Sequence, residues 1–281
     1  MSEKLLGQPV SEKIQAQILS ELQTWKTRGW KAPHLVVVLV GEDPASQVYV
    51  GHKEKMCQKL GFQSTVIRIP ATVSETDVIQ KIQTLNADKE VDAILVQLPL
   101  PQHIDSRKVL NFISADKDAD CLTEPNIGKI LTRTAVVFPC TPAGVIEICR
   151  HYNISLSGKN VAVVGRSLIV GTPLFHLLNQ ADATVTMFHS RSQNIKEQLK
   201  NFDIVCVAMG KPQFFQATDF KKSAIVIDVG IHRLETGLCG DVQINSDNHL
   251  TAYTPVPGGV GVMTIAILMQ NTLALAKARR G

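Results

Sequence analysis

Strand-length apolar segments alternate with segments of helical periodicity along this chain, and that alternation constrains the fold more than any other feature. The apolar runs of the first half are LVVVLV (35–40), STVIRI (64–69) and DAILVQL (92–98). The segments between them repeat apolar residues with the spacing of an amphipathic helix. Because parallel strands need a long crossover, usually a helix, this order predicts a parallel sheet covered by helices.

Capping residues mark where the helices of the first half begin and end. Ser11 precedes EKIQAQILSELQTW and Gly29 follows it, Pro44 opens and Gly61 closes the next helix, and Ser74 precedes ETDVIQKIQTL. Small polar residues and proline favour helix starts, and glycine favours helix ends. Three helices are therefore predicted between and before the strands.

The second half repeats the same pattern after an irregular stretch. Its predicted strands are NVAVVG (160–165), ATVTMF (183–188), FDIVCVA (202–208) and SAIVIDVG (223–230). A linking helix is predicted to begin at Pro142, with a domain boundary near 138–142. The closing MTIAILMQNTLALAKA is too apolar to stand alone and is predicted to pack back on the first domain. The predicted fold class is α/β, with two α/β domains.

Composition favours a globular protein with a small anionic ligand. The chain has 281 residues, 44% hydrophobic and 19% charged, and a net charge of +4 from 29 basic and 25 acidic residues. The charges are scattered, so neither a nucleic-acid stripe nor a membrane-surface helix is indicated. The charged start MSEKLLGQPVSEK is unlike a signal peptide, and the longest apolar runs have strand length, so we expect a cytoplasmic protein.

The cysteines give no sign of a disulfide framework or a metal site. None of the six forms a CxxC pair or a cluster with histidine, and a chain of this length does not need covalent staples. We therefore expect free thiols and no metal. The six are Cys57, Cys121, Cys140, Cys149, Cys206 and Cys239.

A glycine-bounded loop in the second half is typical of dinucleotide binding. VAVVGRSLIVGTP (161–173) places Gly165 at the end of a strand and Gly171 at the start of a helix, with Arg166 and Ser167 between them. The spacing is not GxGxxG. The physical elements are nevertheless present, because a turn without side-chain bulk leads into helix amides that can face an anion. An ordinary strand-to-helix turn remains an alternative.

The end of the next strand predicts which dinucleotide binds. NAD-specific sites place Asp or Glu there, roughly 20 residues beyond the glycine loop, to bind the ribose hydroxyls. This chain has FHSRS (188–192), in which Ser190, Arg191 and Ser192 offer hydroxyls and a guanidinium group, with Arg166 facing them from the loop. A carboxylate would repel a 2′-phosphate, whereas these groups bind it. We therefore predict NADP, the alternative being a solvated basic turn.

In the first half, YVGHK (49–53) places Tyr49 and Lys53 one helical turn apart. Residues four apart on a helix point the same way, and Tyr-x-x-x-Lys is also the catalytic spacing of short-chain dehydrogenases. In those enzymes the pair follows the nucleotide loop within one domain, whereas here it precedes the loop by over a hundred residues. We therefore expect it to line a substrate pocket.

Several further motifs occur in order with this pair, and together they resemble the bifunctional methylenetetrahydrofolate dehydrogenase/cyclohydrolase family. They are VQLPLP (96–101), KDAD (117–120), PCTPAG (139–144), GRSLIVGTP (165–173), HSRS (189–192), IDVGI (227–231), GDV (240–242) and TPVPGGVG (254–261). The resemblance covers nearly the whole chain. It implies NADP-dependent oxidation of 5,10-methylenetetrahydrofolate, hydrolysis of the methenyl product to 10-formyltetrahydrofolate in one-carbon metabolism and purine biosynthesis, and a homodimer.

The resemblance also implies roles for residues of the first domain. Tyr49, Lys53, Gln97 and Asp120 map onto the family's catalytic residues, with Lys53 as general base and then acid of hydrolysis. Desolvation beside a cation lowers the pKa of an amine and suits it to this task. Gln97 is expected to orient the amine, Tyr49 to contact the substrate, and Asp120 to accept two hydrogen bonds from the pterin. Without the family, Gln97 is a polar strand end and DKDAD a solvated acidic loop.

The remaining implied contacts complete the two predicted sites. The substrate-binding residues are Tyr49, Lys53, Gln97, Leu98, Pro99, Asp120, Pro257, Gly258 and Gly259. The NADP-binding residues are Gly165, Arg166, Ser167, Ser190, Arg191, Ser192 and Ile231. The predicted folate-binding domain comprises 1–138 and 262–281, and the NADP-binding domain comprises 139–261. His52, Cys140 and His189 are assigned structural roles.

Two departures from the family pattern bear on function. After KDAD the family continues with Gly, an aromatic residue or Leu, His and Pro, whereas this chain has Cys121, Leu122, Thr123 and Glu124. Val262 stands where the family has proline after PVPGGVG, at small expected cost. The first departure puts the loop beside Asp120 in question. Two alternatives therefore remain open: a monofunctional dehydrogenase, and a folate- or nucleotide-binding protein with impaired turnover. An oxidoreductase similar to amino-acid dehydrogenases is disfavoured, because it would not need VQLPLP.

Overall fold

The computed structural model describes residues 2–235, 237–245 and 247–280. The strands are β1 (Glu3–Lys4), β2 (His34–Val40), β3 (Gln63–Ile69), β4 (Ala93–Val96), β5 (Asn160–Val164), β6 (Thr184–Phe188), β7 (Ile204–Val207), β8 (Phe215–Gln216), β9 (Ile225–Asp228), β10 (His232–Leu234), β11 (Gly237–Cys239), β12 (Val242–Gln243) and β13 (Ala252–Tyr253). The α-helices are α1 (Gly7–Thr27), α2 (Pro44–Leu60), α3 (Glu75–Ala87), α4 (Ser106–Leu110), α5 (Glu124–Leu131), α6 (Cys140–His151), α7 (Gly171–Gln180), α8 (Ile195–Leu199) and α9 (Gly261–Ala278). A 3₁₀ helix spans Ala217–Asp219.

The chain divides into two compact units, named here by their main sheets. The three-stranded unit contains Ile14–Phe138 and the residues from Ile265 onward, and the six-stranded unit contains the residues up to Lys13 together with Pro139–Thr264. This division differs from the predicted domain limits at the first thirteen residues and at 262–264.

The three-stranded unit is built on a parallel sheet in the order β3-β2-β4. All seven residues of the central strand β2 are buried, which is why that strand is almost wholly apolar. One side of the sheet packs on α3 through Val36, Val38, Ile82 and Ile94. The predicted parallel sheet with crossover helices is confirmed in this half.

Local capping explains where α2 and α3 begin and end. The carboxylate of Asp43 accepts a hydrogen bond from the Ser46 backbone nitrogen at 2.8 Å, ahead of Pro44 in the first turn. Gly61 closes α2 with φ of 76°, a conformation in which glycine avoids the Cβ clash. Ser74 caps α3 in the same way as Asp43 caps α2. The predicted start of the first helix after Ser11 is wrong, because α1 already begins at Gly7 and includes Pro9 in its first turn.

The six-stranded unit has a fully parallel sheet in the order β1-β13-β9-β7-β5-β6. Of its four inner strands, β5 and β7 are buried almost throughout, as their apolar sequences predict. The edge strand β1 pairs in parallel with β13, with Glu3 opposite Ala252. This pairing was not predicted, since two charged residues carry no strand signal.

The order of the strands places several quoted motifs at one edge of the six-stranded sheet. The loops that follow β5, β6, β7, β9 and β13 all leave from the carboxyl ends of parallel strands. Ligands of open α/β sheets bind outside this edge. The motifs GRSLIVGTP, HSRS and PVPGGVG begin in these loops, and IDVGI starts at the end of β9 and continues into the loop after it.

The helix α9 is the apolar segment that closes the chain. By length and composition alone it is the one helix in the described part of the chain that could cross a membrane. Core helices of folded proteins meet the same test, and α9 buries Ile267, Leu268 and Met269 inside the protein. The side chain of Asn271 on α9 donates to the carbonyl oxygens of Ala119 and Phe138, so α9 is fixed within the three-stranded unit. The predicted packing of this helix on the first domain is confirmed.

Candidate functional site

The structure brings Lys53 and Gln97 together. Lys53 lies on α2 and is only 8% exposed, and its Nζ donates a hydrogen bond of 2.8 Å to Oε1 of Gln97 at the end of β4. The Nε2 of Gln97 donates to the carbonyl oxygen of Leu98 at 2.6 Å. Because that second bond uses the amide nitrogen, the oxygen of Gln97 must face the lysine.

The residues around this pair form a partly open surface. Tyr49 lies one helical turn before Lys53 with its side chain exposed, at 43%. Leu98 and Pro99 follow Gln97, and the peptide bond between them is cis. Leu98 packs partly against the sheet core, whereas Pro99 is exposed. A buried amine therefore lies next to an exposed aromatic ring and an exposed loop.

The KDAD motif is fixed to its surroundings by its first two residues. Lys117 is 1% exposed, and its Nζ donates to the carbonyl oxygens of Leu85 at 2.9 Å and Asp88 at 2.6 Å, at the end of α3. Burial, helped by the nearby Arg279, lowers the pKa of Lys117. The alternative of a solvated acidic loop is therefore wrong for this part of the motif.

Asp118 is equally buried and binds the first turn of α5. It is 1% exposed and accepts hydrogen bonds from the backbone nitrogens of Leu122 at 3.2 Å and Thr123 at 2.9 Å, and from Asn126 Nδ2 at 3.0 Å. Burial raises the pKa of Asp118 and these hydrogen bonds oppose that effect. Asp120, the predicted pterin ligand, follows two residues later and is half-buried. Sequence analysis missed Lys117 and Asp118, since neighbouring opposite charges are usually solvated.

The unusual residues after Asp120 keep a tight turn. Cys121 has φ of 56°, a left-handed conformation that glycine adopts at no steric cost. Its side chain is completely buried, and its Sγ donates to the carbonyl oxygen of Val137 at 3.2 Å. Burial raises the pKa of this thiol well above its usual value. Thr123 and Glu124 then begin α5. This chain thus has a buried cysteine at a backbone position that favours glycine, and the turn after Asp120 is still closed.

In the six-stranded unit, Gly165 and Gly171 form a loop that leaves no space for side chains. Gly165 has φ of 123°, and a Cβ there would lie 2.2 Å from the carbonyl oxygen of Ala208. A Cβ on Gly171 would lie 2.1 Å from the carbonyl oxygen of Gly165. Ser167 stabilises the loop, because its Oγ accepts hydrogen bonds from the backbone nitrogens of Val170 and Gly171. The two glycines therefore permit the tight turn that joins β5 to α7.

The HSRS turn is held by its first and last residues. The backbone nitrogen of His189 donates to Ser192 Oγ at 2.9 Å, and the Ser192 nitrogen donates to the His189 oxygen at 2.8 Å. The backbone nitrogen of Arg191 donates to His189 Nδ1 at 3.2 Å. Ser190 and Arg191 are exposed, and so is Arg166 on the glycine loop. His189 thus shapes the turn, while the hydroxyl and the two guanidinium groups remain available to an anion.

Two buried aspartates organise the neighbouring loops, and sequence analysis gave them no role. Asp241 is fully buried and accepts the backbone N–H groups of Met209, Gly210 and Lys211, and it contacts His232 Nε2 at 2.7 Å. Three further backbone N–H groups, from Gly230, Asp241 and Val242, donate to the carboxylate of Asp228. Burial raises the pKa of Asp228 to about 7. The quoted motifs IDVGI and GDV were the available signal, because each contains one of these aspartates.

The PVPGGVG loop lies at the same edge of the sheet. The Val256–Pro257 peptide bond is cis, and Gly258 has φ of 105°. A Cβ on the buried Gly259 would lie 2.6 Å from the carbonyl oxygen of Pro255. Pro257 is exposed, as is Ile231 after β9. Pro257 is therefore exposed at a turn whose next two positions require glycine.

A separate cavity of about 700 Å³ in the three-stranded unit contains none of the predicted site residues. Most of its charged lining is paired: Lys31 with Glu90, and Arg279 and Arg280 with Asp92. Groups of three or more residues that could hold a metal ion are absent from the residues that the structure describes. The candidate functional residues are therefore those described above.

The fold and these loops define a two-unit α/β enzyme of the dinucleotide-dependent class. Family profiles match both halves: tetrahydrofolate dehydrogenase/cyclohydrolase, catalytic domain, over residues 5–120, and the NAD(P)-binding domain of the same family over residues 139–280. The bifunctional protein FolD of Bdellovibrio bacteriovorus is 48% identical over 276 residues, which are 97% of this chain and 96% of the relative.

Solved structures agree with the family profiles. The bifunctional FolD methylenetetrahydrofolate dehydrogenase/cyclohydrolase of Campylobacter jejuni has a TM-score of 0.94 at 38% identity, covering 99% of this chain and 100% of that one. The Trypanosoma brucei dehydrogenase-cyclohydrolase, solved with NADP cofactor and inhibitor, has a TM-score of 0.92 at 34% identity, covering 99% and 98%. This chain belongs to the tetrahydrofolate dehydrogenase/cyclohydrolase family.

Proposed function

We propose that Lys53 is the acid–base group of a folate pocket in the three-stranded unit. The enzyme oxidises 5,10-methylenetetrahydrofolate to 5,10-methenyltetrahydrofolate with NADP and hydrolyses that product to 10-formyltetrahydrofolate. The observation that supports the role of Lys53 is its burial together with the 2.8 Å hydrogen bond from its Nζ to Gln97. A buried amine that is hydrogen-bonded to a fixed amide oxygen is held in place for proton transfer.

Hydrolysis needs two proton transfers that one amine can perform in turn. Water adds to the methenyl carbon, the bond from that carbon to N5 breaks, and one proton is released overall. A base must take a proton from the attacking water, and an acid must supply one to the leaving nitrogen. Neutral Lys53 serves the first transfer, and the resulting ammonium serves the second.

The neighbours of Lys53 position the amine and the substrate. Gln97 holds the amine through Oε1 because its Nε2 is used by Leu98. The exposed ring of Tyr49 is available to stack on or hydrogen-bond the folate. Leu98 and Pro99 form the adjoining loop. In this proposal Gln97 acts on the reaction through Lys53, whereas Tyr49 contacts the substrate.

Asp120 is proposed to bind the pterin ring. Its carboxylate can accept two hydrogen bonds from the paired N–H donors of that ring, and a two-point contact also sets the orientation. Pro257, Gly258 and Gly259 are proposed as further substrate contacts, since a loop of this kind lets the backbone approach a ligand.

The six-stranded unit is proposed to hold NADP, and its residues fit that cofactor. Gly165 and Gly171 form the tight turn between β5 and α7 that admits no side chain, Arg166 on that loop is exposed, and no acidic residue occurs in 188–192. NADP, when bound, accepts the hydride from the one-carbon bridge. The proposed contacts are Gly165, Arg166, Ser167, Ser190, Arg191, Ser192 and Ile231. Among them Arg166, Ser190 and Arg191 select the 2′-phosphate by charge and hydrogen bonding.

We further propose a cytoplasmic homodimer that supplies one-carbon metabolism, including purine biosynthesis, and that binds neither nucleic acid nor membranes. The family resemblance and the scattered charge of the chain support this part of the proposal. Light scattering across working concentrations is expected to give twice the mass of one chain. A mass of one chain at every concentration would contradict the dimer.

An absorbance assay of methenyltetrahydrofolate tests both activities in one experiment. Purified protein supplied with methylenetetrahydrofolate and NADP is expected to form the methenyl compound and then to remove it faster than its spontaneous hydrolysis. Formation without enzymatic removal would leave a monofunctional dehydrogenase. Absence of both would leave a folate- or nucleotide-binding protein.

A further inference from the structure

We infer that the buried carboxylate of Asp118 is a positioning group for Asp120, and this inference rests on the proposed pterin contact of Asp120. Asp118 is 1% exposed and lies two residues before Asp120. Both of its oxygens accept hydrogen bonds from residues that follow Asp120, namely Leu122, Thr123 and Asn126. Its side chain therefore closes the turn in which Asp120 lies.

The chain before Asp120 is fixed independently of that closure. The Ile94 nitrogen donates to the Lys117 oxygen at 2.7 Å, and the Ala119 nitrogen donates to the Ile94 oxygen at 3.2 Å, so Asp118 pairs beside β4 like a further strand residue. The Nζ of Lys117 binds two carbonyl oxygens at the end of α3. Residues 117–119 therefore cannot shift without breaking bonds to two elements.

The chain after Asp120 reaches its position by an unfavourable turn. Cys121 adopts φ of 56°, and its nitrogen donates to the Asp118 oxygen at 3.3 Å. A non-glycine residue in the left-handed region needs surroundings that hold it there. The bonds from Asp118 to Leu122 and Thr123 provide that constraint, since they join the two ends of the turn across Asp120.

Asp118 thus acts at a distance from the substrate. The direction in which Asp120 projects depends on the backbone at 119–121, and that backbone is set by bonds on both sides. A misplacement of about 1 Å in an active site can lower the reaction rate on the order of 10²-fold. Loss of the Asp118 carboxylate should therefore weaken folate binding while leaving NADP binding intact.

The test is a double-mutant cycle between Asp118→Asn and Asp120→Asn, measured as KM for methylenetetrahydrofolate and for NADP. Each single variant is expected to raise the folate KM on the order of tenfold, with NADP KM unchanged. The double variant is expected to be no worse than Asp120→Asn, because Asp118 acts only through Asp120. Asp105→Asn is the matched control: Asp105 caps α4 through the nitrogens of Arg107 and Lys108, and its variant should leave both KM values unchanged.

The possible outcomes separate the positioning role from the pterin contact. Multiplication of the two effects in the double variant, or an equal rise in NADP KM, would overturn the positioning role. An unchanged folate KM in Asp120→Asn would overturn the pterin contact and, with it, the role of Asp118. If Asp118→Asn does not fold, Asn126→Ala removes one of the three donors to Asp118 and carries the same cycle, with a smaller rise expected.

Discussion

The Nζ of Lys53 donates to Oε1 of Gln97 across 2.8 Å, and the Nε2 of Gln97 is in turn bound to the carbonyl oxygen of Leu98. This chain of bonds links α2 to the loop after β4. It fixes which end of the amide faces the amine. A flipped amide would place its NH2 group against the amine and its oxygen against the carbonyl oxygen of Leu98. The partner of the amine is therefore a neutral amide oxygen, which accepts a hydrogen bond from Lys53 and does not take up its proton.

Replacing Gln97 with glutamate tests that neutrality. A carboxylate 2.8 Å from the amine would stabilise its charged form, and the base of hydrolysis would become harder to generate. Gln97→Glu is expected to weaken both activities and to move the pH profile of hydrolysis alone upward by about one unit or more. The exposed Gln102→Glu, on the same loop, is the control. An unshifted hydrolysis profile in Gln97→Glu would show that Gln97 does not face the base.

The exposed guanidinium of Arg191 is expected to select NADP. Arg191→Ala should raise the KM for NADP roughly tenfold or more, because a charge-assisted hydrogen bond contributes about 1.5–3 kcal/mol. The KM for NAD should change far less. The control is Lys222→Ala. It removes the same charge from an exposed position just before the amino end of β9, away from the carboxyl edge of the sheet, and should change neither KM. Equal losses for both cofactors in Arg191→Ala would mean that Arg191 supports the turn only.

The left-handed conformation of Cys121 predicts an unusual order of stability. With φ of 56°, this position penalises any Cβ, so Cys121→Gly should be more stable than Cys121→Ala by about 1 kcal/mol. Cys149 is also buried but lies within α6, where glycine is less stable than alanine by about 0.5–1 kcal/mol. Denaturant unfolding of the four variants checks this prediction. The same order at both positions would contradict the strained turn.

The buried carboxyl of Asp228 is expected to make stability depend on pH. Its pKa is raised from 3.8 to about 7 by burial, so its contribution to stability is fully present below pH ~4 and is lost as the pH rises through 7. The Asp228→Asn variant lacks the titrating group. The wild-type minus variant difference in the free energy of unfolding should therefore decrease between pH 4 and pH 7. A constant difference across that range would show that Asp228 is ionised throughout.

Much of the fold could be predicted because its signals are local. Buried strands such as β2 are continuous apolar runs, and the caps at Asp43, Gly61 and Ser74 lie beside the helices they define. The pairing of β1 could not be predicted, since Glu3 and Lys4 are held by backbone bonds to a strand almost 250 residues away. Pairings of this kind leave no trace in the pattern of side chains.

The candidate site divides in the same way. Lys53, Gln97 and Asp120 could be named from motifs, but the burial of Lys117 and Asp118 could not. Those charges are tolerated inside the protein only because carbonyl oxygens of α3 and N–H groups of α5 meet them, and tertiary structure alone brings these groups together. The buried carboxylates of Asp228 and Asp241, each held by backbone N–H groups, were missed for the same reason.

The central claim is that the amine of Lys53 performs the proton transfers of hydrolysis, and one comparison tests it most directly. Lys53→Met keeps the apolar stem and removes the titrating group, with Lys55→Met on the exposed side of α2 as the control. Methenyltetrahydrofolate hydrolysis and methylenetetrahydrofolate oxidation are measured on the same preparations. We predict that hydrolysis falls at least about 10²-fold in Lys53→Met while oxidation, which transfers a hydride and no proton to the enzyme, falls much less. Hydrolysis at the parent rate in Lys53→Met would assign the chemistry to another residue.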